Sequence, residues 1–209
     1  MKKILLLIVG IMAYGILPAQ RPNKLYNKGL AAAQSGEYRN AIRFFTATIR
    51  QNEYLPEVWY NRALAKSRSG DYEGARKDYS QAIRLNPSFA EAWLNRGADK
   101  KELGDTAGAI ADYSKAIQID SHYAMAWYNR GIVYLLKGNY GQAIDDFMHA
   151  LREKPAMADA WYNCGLAYLA IDEKVKAMEC LDKAVAVQPG HERAEVKRKE
   201  VLIMLNVEF

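Results

Sequence analysis

At 209 residues, half of them apolar, the chain is long enough to bury a core, and 14 Tyr and four Trp against six Pro exclude a disordered polypeptide. Its formal charge of +5 comes from 29 basic and 24 acidic side chains interleaved along the sequence, which excludes the concentrated basic face of a nucleic-acid binder. Composition leaves the fold open, and the order of the residues decides it.

The chain opens with Lys2 and Lys3, an apolar stretch from Ile4 to Leu17, and Pro18-Ala19-Gln20 before the polar Arg21-Pro22-Asn23-Lys24. A basic start, an apolar centre shorter than the ~20 residues of a membrane-spanning helix and a small-residue end have the form of a secretory signal peptide. Residues 1–19 are read as that peptide, cleaved near Ala19, and the mature protein as periplasmic or secreted from a bacterium with two membranes. Because Leu17 stands where a small residue is expected, an uncleaved anchor is the alternative. No Cys closely follows the apolar stretch, so lipid attachment there is excluded. Cleavage takes two lysines and no acid, so +5 less 2 leaves +3.

From Pro22 a pattern recurs every 34 residues, marked by Leu25, Trp59, Trp93, Trp127 and Trp161. Two residues on comes Asn (Asn27, Asn61, Asn95, Asn129, Asn163), and four on comes a small residue (Gly29, Ala63, Gly97, Gly131, Gly165). Sixteen on comes Ala (41, 75, 109, 143, 177), and twenty on a large apolar residue (Phe45, Tyr79, Tyr113, Phe147, Leu181). Pro87, Pro155 and Pro189 close three units, while Ser121 stands in that place in the third. Spacings of three and four put Trp127, Gly131 and Tyr134 on one helical face. Gly138-Asn139 then breaks the helix, and Ala143, Phe147 and Ala150 form a matching stripe that ends before Pro155. Small residues of one helix face large residues of the other, and no unit buries its apolar face alone, so stacking is obligatory.

These residues resemble the tetratricopeptide repeat family, whose signature runs Trp, Leu-Gly, Tyr, Ala, a large aromatic and Pro. The chain departs from it at Arg62, Arg96, Arg130 and Cys164, in place of Leu, and at Lys66 and Lys100, in place of Tyr. The resemblance implies an all-α, right-handed superhelical solenoid of antiparallel helix pairs. Five repeats are expected at 22–55, 56–89, 90–123, 124–157 and 158–191, followed by a capping helix over 192–209. Within that last segment Val201 to Leu205 is apolar on all sides, so it either folds down over the fifth unit or serves self-association or a partner.

Sixteen residues beyond each Arg at the Leu position sits an Asp, giving Arg62 and Asp78, Arg96 and Asp112, Arg130 and Asp146. In antiparallel helices these lie level, and they are read as ion pairs that specify register more than they stabilise. The fifth unit holds Cys164 and Cys180 at those places, the only cysteines in the chain. In an exported protein they form a disulfide worth ~3 kcal/mol, or else they are two small buried thiols.

No chemistry is legible. None of His122, His149 and His191 has a carboxylate or second His at helical spacing that would suggest a metal site or a catalytic base, and all three are read as solvated. No Ser-His-Asp arrangement, glycine-rich phosphate loop or zinc pattern is present, so no enzyme, metal or cofactor is expected. The resemblance implies instead a concave groove lined by Tyr26, Asn27, Tyr60, Asn61, Leu94, Asn95, Tyr128, Asn129, Tyr162 and Asn163. Tyr supplies apolar area at low entropic cost, and Asn donates to and accepts from a peptide backbone; equally, the Asn side chains could bond neighbouring units and hold the stack. The groove is charged early, at Glu57, Arg68, Glu91, Lys101 and Glu102, and apolar late, at Ile132, Leu135, Leu136, Leu166, Leu169 and Ala170, where an anchor is expected. Chaperone-binding members of the family clamp a C-terminal carboxylate with Lys, Arg and Asn. Here Leu30 and Leu64 replace one clamp Asn, and that function is disfavoured. The expectation is therefore a non-catalytic scaffold of the cell envelope that binds a protein or peptide, with peripheral envelope association open. The rival is a structural subunit of an envelope or secretion assembly held by its termini and convex face.

Overall fold

The computed structural model describes residues 24–206; the signal-peptide reading of residues 1–19 lies outside them. Among the described residues there are eleven helices and no strand. They are α1 (Lys24–Gln34), α2 (Tyr38–Gln51), α3 (Pro56–Arg68), α4 (Tyr72–Leu85), α5 (Ala90–Glu102), α6 (Thr106–Ile119), α7 (Ala124–Leu136), α8 (Tyr140–Glu153), α9 (Ala158–Ala170), α10 (Lys174–Val187) and α11 (Glu192–Asn206). The first ten pair in sequence, each pair packs on the next, and α11 packs on α10, which is the expected all-α solenoid with a capping helix.

Local signals start and stop these helices. Pro56 opens α3, where its fixed φ suits the first turn and its missing N–H costs nothing. Asp71 and Asp105 cap α4 and α6 by accepting from the amides of Gly74 (2.9 Å) and Gly108 (2.8 Å). Between the helices of each of the first four pairs the chain turns through a left-handed glycine, as at Gly70 (φ 87°). In the fifth pair Asp172 holds that conformation (φ 62°), which a short polar side chain tolerates.

The two helices of a pair meet where a small residue faces a ring. A Cβ added at Gly97 would lie 2.8 Å from the Tyr113 ring, and one at Gly131 2.8 Å from the Phe147 ring. Those rings are sealed, as is Tyr79 opposite Ala63. Successive pairs stack through a second small set at the same 34-residue register, Val58, Ala92, Ala126 and Ala160, all buried. Ala194 of α11 is buried in that register too, as is Val201 in the register of Val133 and Ala167. The cap is thus the first helix of a sixth unit. It carries Lys199 where the five pairs have Gly or Ala, and a lysine at the point of closest approach prevents another helix from packing there in the same way. Leu205 packs into the core of the fifth unit, whereas Leu202, Ile203 and Met204 stay exposed.

Two sequence readings need correction. His122 is solvated and pairs with Glu153 (2.8 Å), whose bond raises its pKa, but the other two histidines are not. His149 stacks on Trp127 with centroids 4.2 Å apart. His191 is buried and starts α11: its Nδ1 accepts from the Ala194 amide (3.1 Å), which leaves the proton on Nε2, facing Asp159 (3.3 Å). Both misreadings came from judging the histidines by sequence position, when side chains of an earlier helix, Trp127 of α7 and Asp159 and Tyr162 of α9, lie against them.

Asp99 is an exception in the stack. It occupies the register of Ala65, Val133 and Ala167 and is only 3% exposed. Ser67 donates to its Oδ1 (2.7 Å), while Oδ2 has no partner. Burial pushes the carboxyl up to about 6, against the Ser67 bond, which lowers it; Glu102 adds to the rise. A folded pKa above the ordinary 3.8 means that the folded state holds the extra proton between those values. The associated stability is full below about 3.8 and is lost as pH rises through about 6. Asp99→Asn is therefore expected to stabilise by roughly 1–2 kcal/mol at pH 7 and to make no difference at pH 3.5. Urea unfolding of both proteins across that range checks it, and an equal gain at both pH values would refute the assignment.

Candidate protein-binding groove

The first helices of successive pairs, α1, α3, α5, α7 and α9, touch one another and line one face of the solenoid. On this face the Tyr and Asn side chains form a stitched ladder. Asn61 donates to the Tyr26 hydroxyl (2.8 Å) and to the Glu57 carbonyl (2.8 Å). Asn95 donates to Tyr60 (3.0 Å) and to the Glu91 carbonyl (2.9 Å), and Asn163 donates to Tyr128 (3.2 Å). Of the two roles open to these amides, the three therefore serve the stack. Burial raises the pKa of Tyr26 and Tyr128 and pushes Tyr60 to about 12, so each phenol keeps a proton to donate while it accepts from Asn.

One rung is missing. The third unit has Leu94 in place of Tyr, and Leu94 is buried and offers no oxygen. Asn129, whose ladder partner it would be, is half-buried, and its amide has no hydrogen bond among the described residues. Asn27, at the first unit, is exposed. Tyr162 lies against His191 (5.4 Å) with Arg193 over its ring (5.1 Å). The structure also forms a hollow of about 380 Å³ between α1 and α3, lined by Leu30, Ala33, Gln34, Asn61, Leu64 and Arg68. Sequence reasoning placed its anchor at the other end, at Leu135 and its neighbours, and missed this hollow. The small Ala33 beside the large Leu30 and Leu64 was the available signal. Leu135 is half-buried and Leu136 is 74% exposed.

Away from the groove, the expected ion pairs are present and more extensive than the spacing suggested. Arg62, Arg96 and Arg130 each grip an Asp with two N–H groups, Nε to Oδ2 at 2.7, 2.7 and 2.8 Å. A third N–H of each reaches Thr46, Ser80 or Ser114 of the preceding pair (3.1, 3.0 and 2.8 Å). Each guanidinium also lies over its own Trp ring, at 4.8, 4.6 and 4.9 Å. Lys66 and Lys100, departures from the family pattern, are second cations for Asp78 (2.7 Å) and Asp112 (3.0 Å). Asp146 has Tyr134 in that place, and burial raises its carboxyl against the Arg130 bonds.

In the fifth unit all three corners of this clamp change together. Cys164, Cys180 and Met148 replace Arg, Asp and the Ser or Thr. Both thiols are buried, and the Cys164 thiol is pushed up by its hydrogen bond to Cys180 and by burial. The helices approach closely here, since a Cβ at Gly165 would lie 3.3 Å from the Ala177 carbonyl oxygen. Lys183 takes over the cation position on Trp161 (4.4 Å).

Among the described residues, no group of three or more His, Cys, Asp or Glu gathers as a metal site, and no helix is long and apolar enough to cross a membrane. Models of the TPR repeat match residues 67–98 and 100–138, and models of the tetratricopeptide repeat match residues 124–156 and 158–191. No curated protein matches the sequence. Solved structures share the fold. YrrB, described as a TPR protein with an unusual peptide-binding site, is 22% identical, with 84% of this chain and 90% of that one aligned at a TM-score of 0.70. MamA of Desulfovibrio magneticus is 19% identical over 80% and 94% of the two chains (TM-score 0.73). The C-terminal part of a TPR protein of Cytophaga hutchinsonii is 21% identical over 84% and 69% (TM-score 0.74).

The ladder and the clamp make distinct predictions for urea unfolding. Asn95→Ala, which loses two hydrogen bonds, is expected to cost about 1–2 kcal/mol, whereas Asn129→Ala changes stability by less than about 0.5 kcal/mol. Arg130→Ala, which strands the buried Asp146, is expected to cost about 3 kcal/mol. Equal losses at Asn95 and Asn129 would contradict the broken rung.

Proposed function

Because the chain belongs to the tetratricopeptide repeat family, a fold that typically serves as an interaction scaffold, we propose that it is a non-catalytic adaptor of the cell envelope that holds a partner protein or peptide in its concave groove. The observation that carries the reading is Asn129. It is an amide beside Tyr128, in the middle of the groove, with both donors and its acceptor unspent while Asn61, Asn95 and Asn163 are used by the stack. Such a group can make the paired bonds of a peptide backbone without disturbing the fold. The peptide-binding site for which YrrB is named supports the same use of the fold.

The envelope location rests on the basic, apolar and small-residue order of residues 1–19. The cysteine pair fits it, since an oxidising compartment would let Cys164 and Cys180 pass two electrons and two protons to a disulfide exchange protein and cross-link α9 to α10. Mature protein recovered from cells, denatured without reductant, is then expected to show no free thiol and an N-terminus at residue 20. Two free thiols with Met1 retained would remove both export and cross-link.

Photo-crosslinking in living cells from a probe at Asn129, with a convex-face probe at Asp145, tests the groove. A discrete adduct from Asn129 is expected. Adducts from Asp145 alone would instead favour a structural subunit gripped from outside.

A further inference from the structure

The hollow between α1 and α3 identifies which positions of a first helix face the groove: the fifth, eighth and ninth after the Trp position, represented there by Leu30, Ala33, Gln34, Leu64 and Arg68. Stepping by 34 residues carries the last two of these rows along the molecule. In the second and third units they are Ser67, Arg68, Lys101 and Glu102, and in the fourth, fifth and cap they are Leu135, Leu136, Leu169, Ala170, Ile203 and Met204. The change is complete between one unit and the next. The exposed apolar residues of the cap, Ile203 (64%) and Met204 (44%), are therefore in register with Leu135 and Leu136 and continue the same groove.

We infer that this strip, from α7 across α9 to α11, docks the apolar face of an amphipathic helix from a partner other than this chain. The inference rests on the groove reading above and names the class of ligand. Three observations support it. The strip is continuous with existing interfaces, because Ile132 and Leu135 pack on the core shared by the fourth and fifth units and Leu169 on the core shared with the cap. Its geometry is therefore preformed.

Its electrostatics suit an apolar face with a mixed edge. The eighth and ninth positions of α7, α9 and α11 carry no charge; the fifth are Ile132, Leu166 and, in the cap, Glu200, on which Lys197 closes (2.6 Å), as Lys101 closes on Glu102 (3.1 Å) at the other end. Lys137, beside Leu136 on the rim, is exposed and has no ion-pair partner among the described residues. A partner with an acidic residue on that flank complements it, in the usual arrangement of apolar centre and polar rim.

Its spacing suits a helix better than an extended chain. Packed helices lie about 8–10 Å apart, and seven residues of a ligand helix, two turns, rise about 10.5 Å while returning to the same face. An extended chain covers that distance in about three residues and arrives with its side chain turned away.

Photoreactive probes placed one at a time at Leu136, Ala170 and Met204 of the full chain, in living cells, test this directly. All three sites are exposed, and a thermal melt of each variant confirms that it folds. The expected result is one partner segment whose captured residues step by about seven from probe to probe. In the same assay Ile203→Asp is expected to lower capture at Ala170 by about tenfold, while Arg68→Ala leaves it unchanged. Captured residues about three apart would overturn the helix, and capture of another copy of this chain would replace the partner with self-association. Capture only from a probe at Arg68 would overturn the strip and leave the groove reading standing. Capture only from Asp145, or from no groove probe, would overturn both.

Discussion

The contact of a small residue with a ring inside each helix pair sets the spacing on which the rest of the molecule depends. With Gly97 against Tyr113, or Gly131 against Phe147, no Cβ fits between the helices unless the ring shifts. That approach brings Arg96 and Arg130 level with Asp112 and Asp146 and holds both carboxylates almost wholly out of water. It also turns the outer rows of each first helix toward one common face. Loosening a single pair would tilt every unit beyond it, because each stacks only on its neighbours.

Energetically the clamps are matched rather than strongly stabilising. A buried carboxylate held by two N–H groups of an arginine recovers little more than its lost hydration, but no other register satisfies it. The third N–H, aimed at Thr46, Ser80 or Ser114, carries the same specification from one unit to the next. The fifth unit drops the whole device at once and substitutes two thiols and a methionine, an apolar closure that suits the end of the stack. At the cap the inter-unit bond returns as Arg198 on Asp182, in the register of arginine on serine.

Structure and function compete for the same side chains in the groove. Tyr26, Tyr60 and Tyr128 with Asn61, Asn95 and Asn163 hold the first helices side by side, so most of the polar wall that could have met a partner is already engaged. Replacing one tyrosine by Leu94 releases the next asparagine, Asn129, at little expense to the stack. It does so where the groove turns from charged to apolar, so the open amide and the apolar strip adjoin.

Much of this was legible in the residues themselves. Helix pairs, their order and their packing faces follow from a 34-residue period with small and large residues in fixed phase, since such periodicity has only one way to bury its apolar stripe. The Arg and Asp pairs follow from counting along antiparallel helices. What counting could not reach was anything decided by a neighbour across the stack. The use of three asparagines by tyrosines of the preceding unit and the freedom of Asn129 depend on which unit lies beside which. So do the burial of His191 beneath the fifth unit and the orphaned oxygen of Asp99. Periodicity determined which side chains share a face; only the stacked structure decided which of them are already satisfied, because satisfaction depends on distances between units that no single unit encodes.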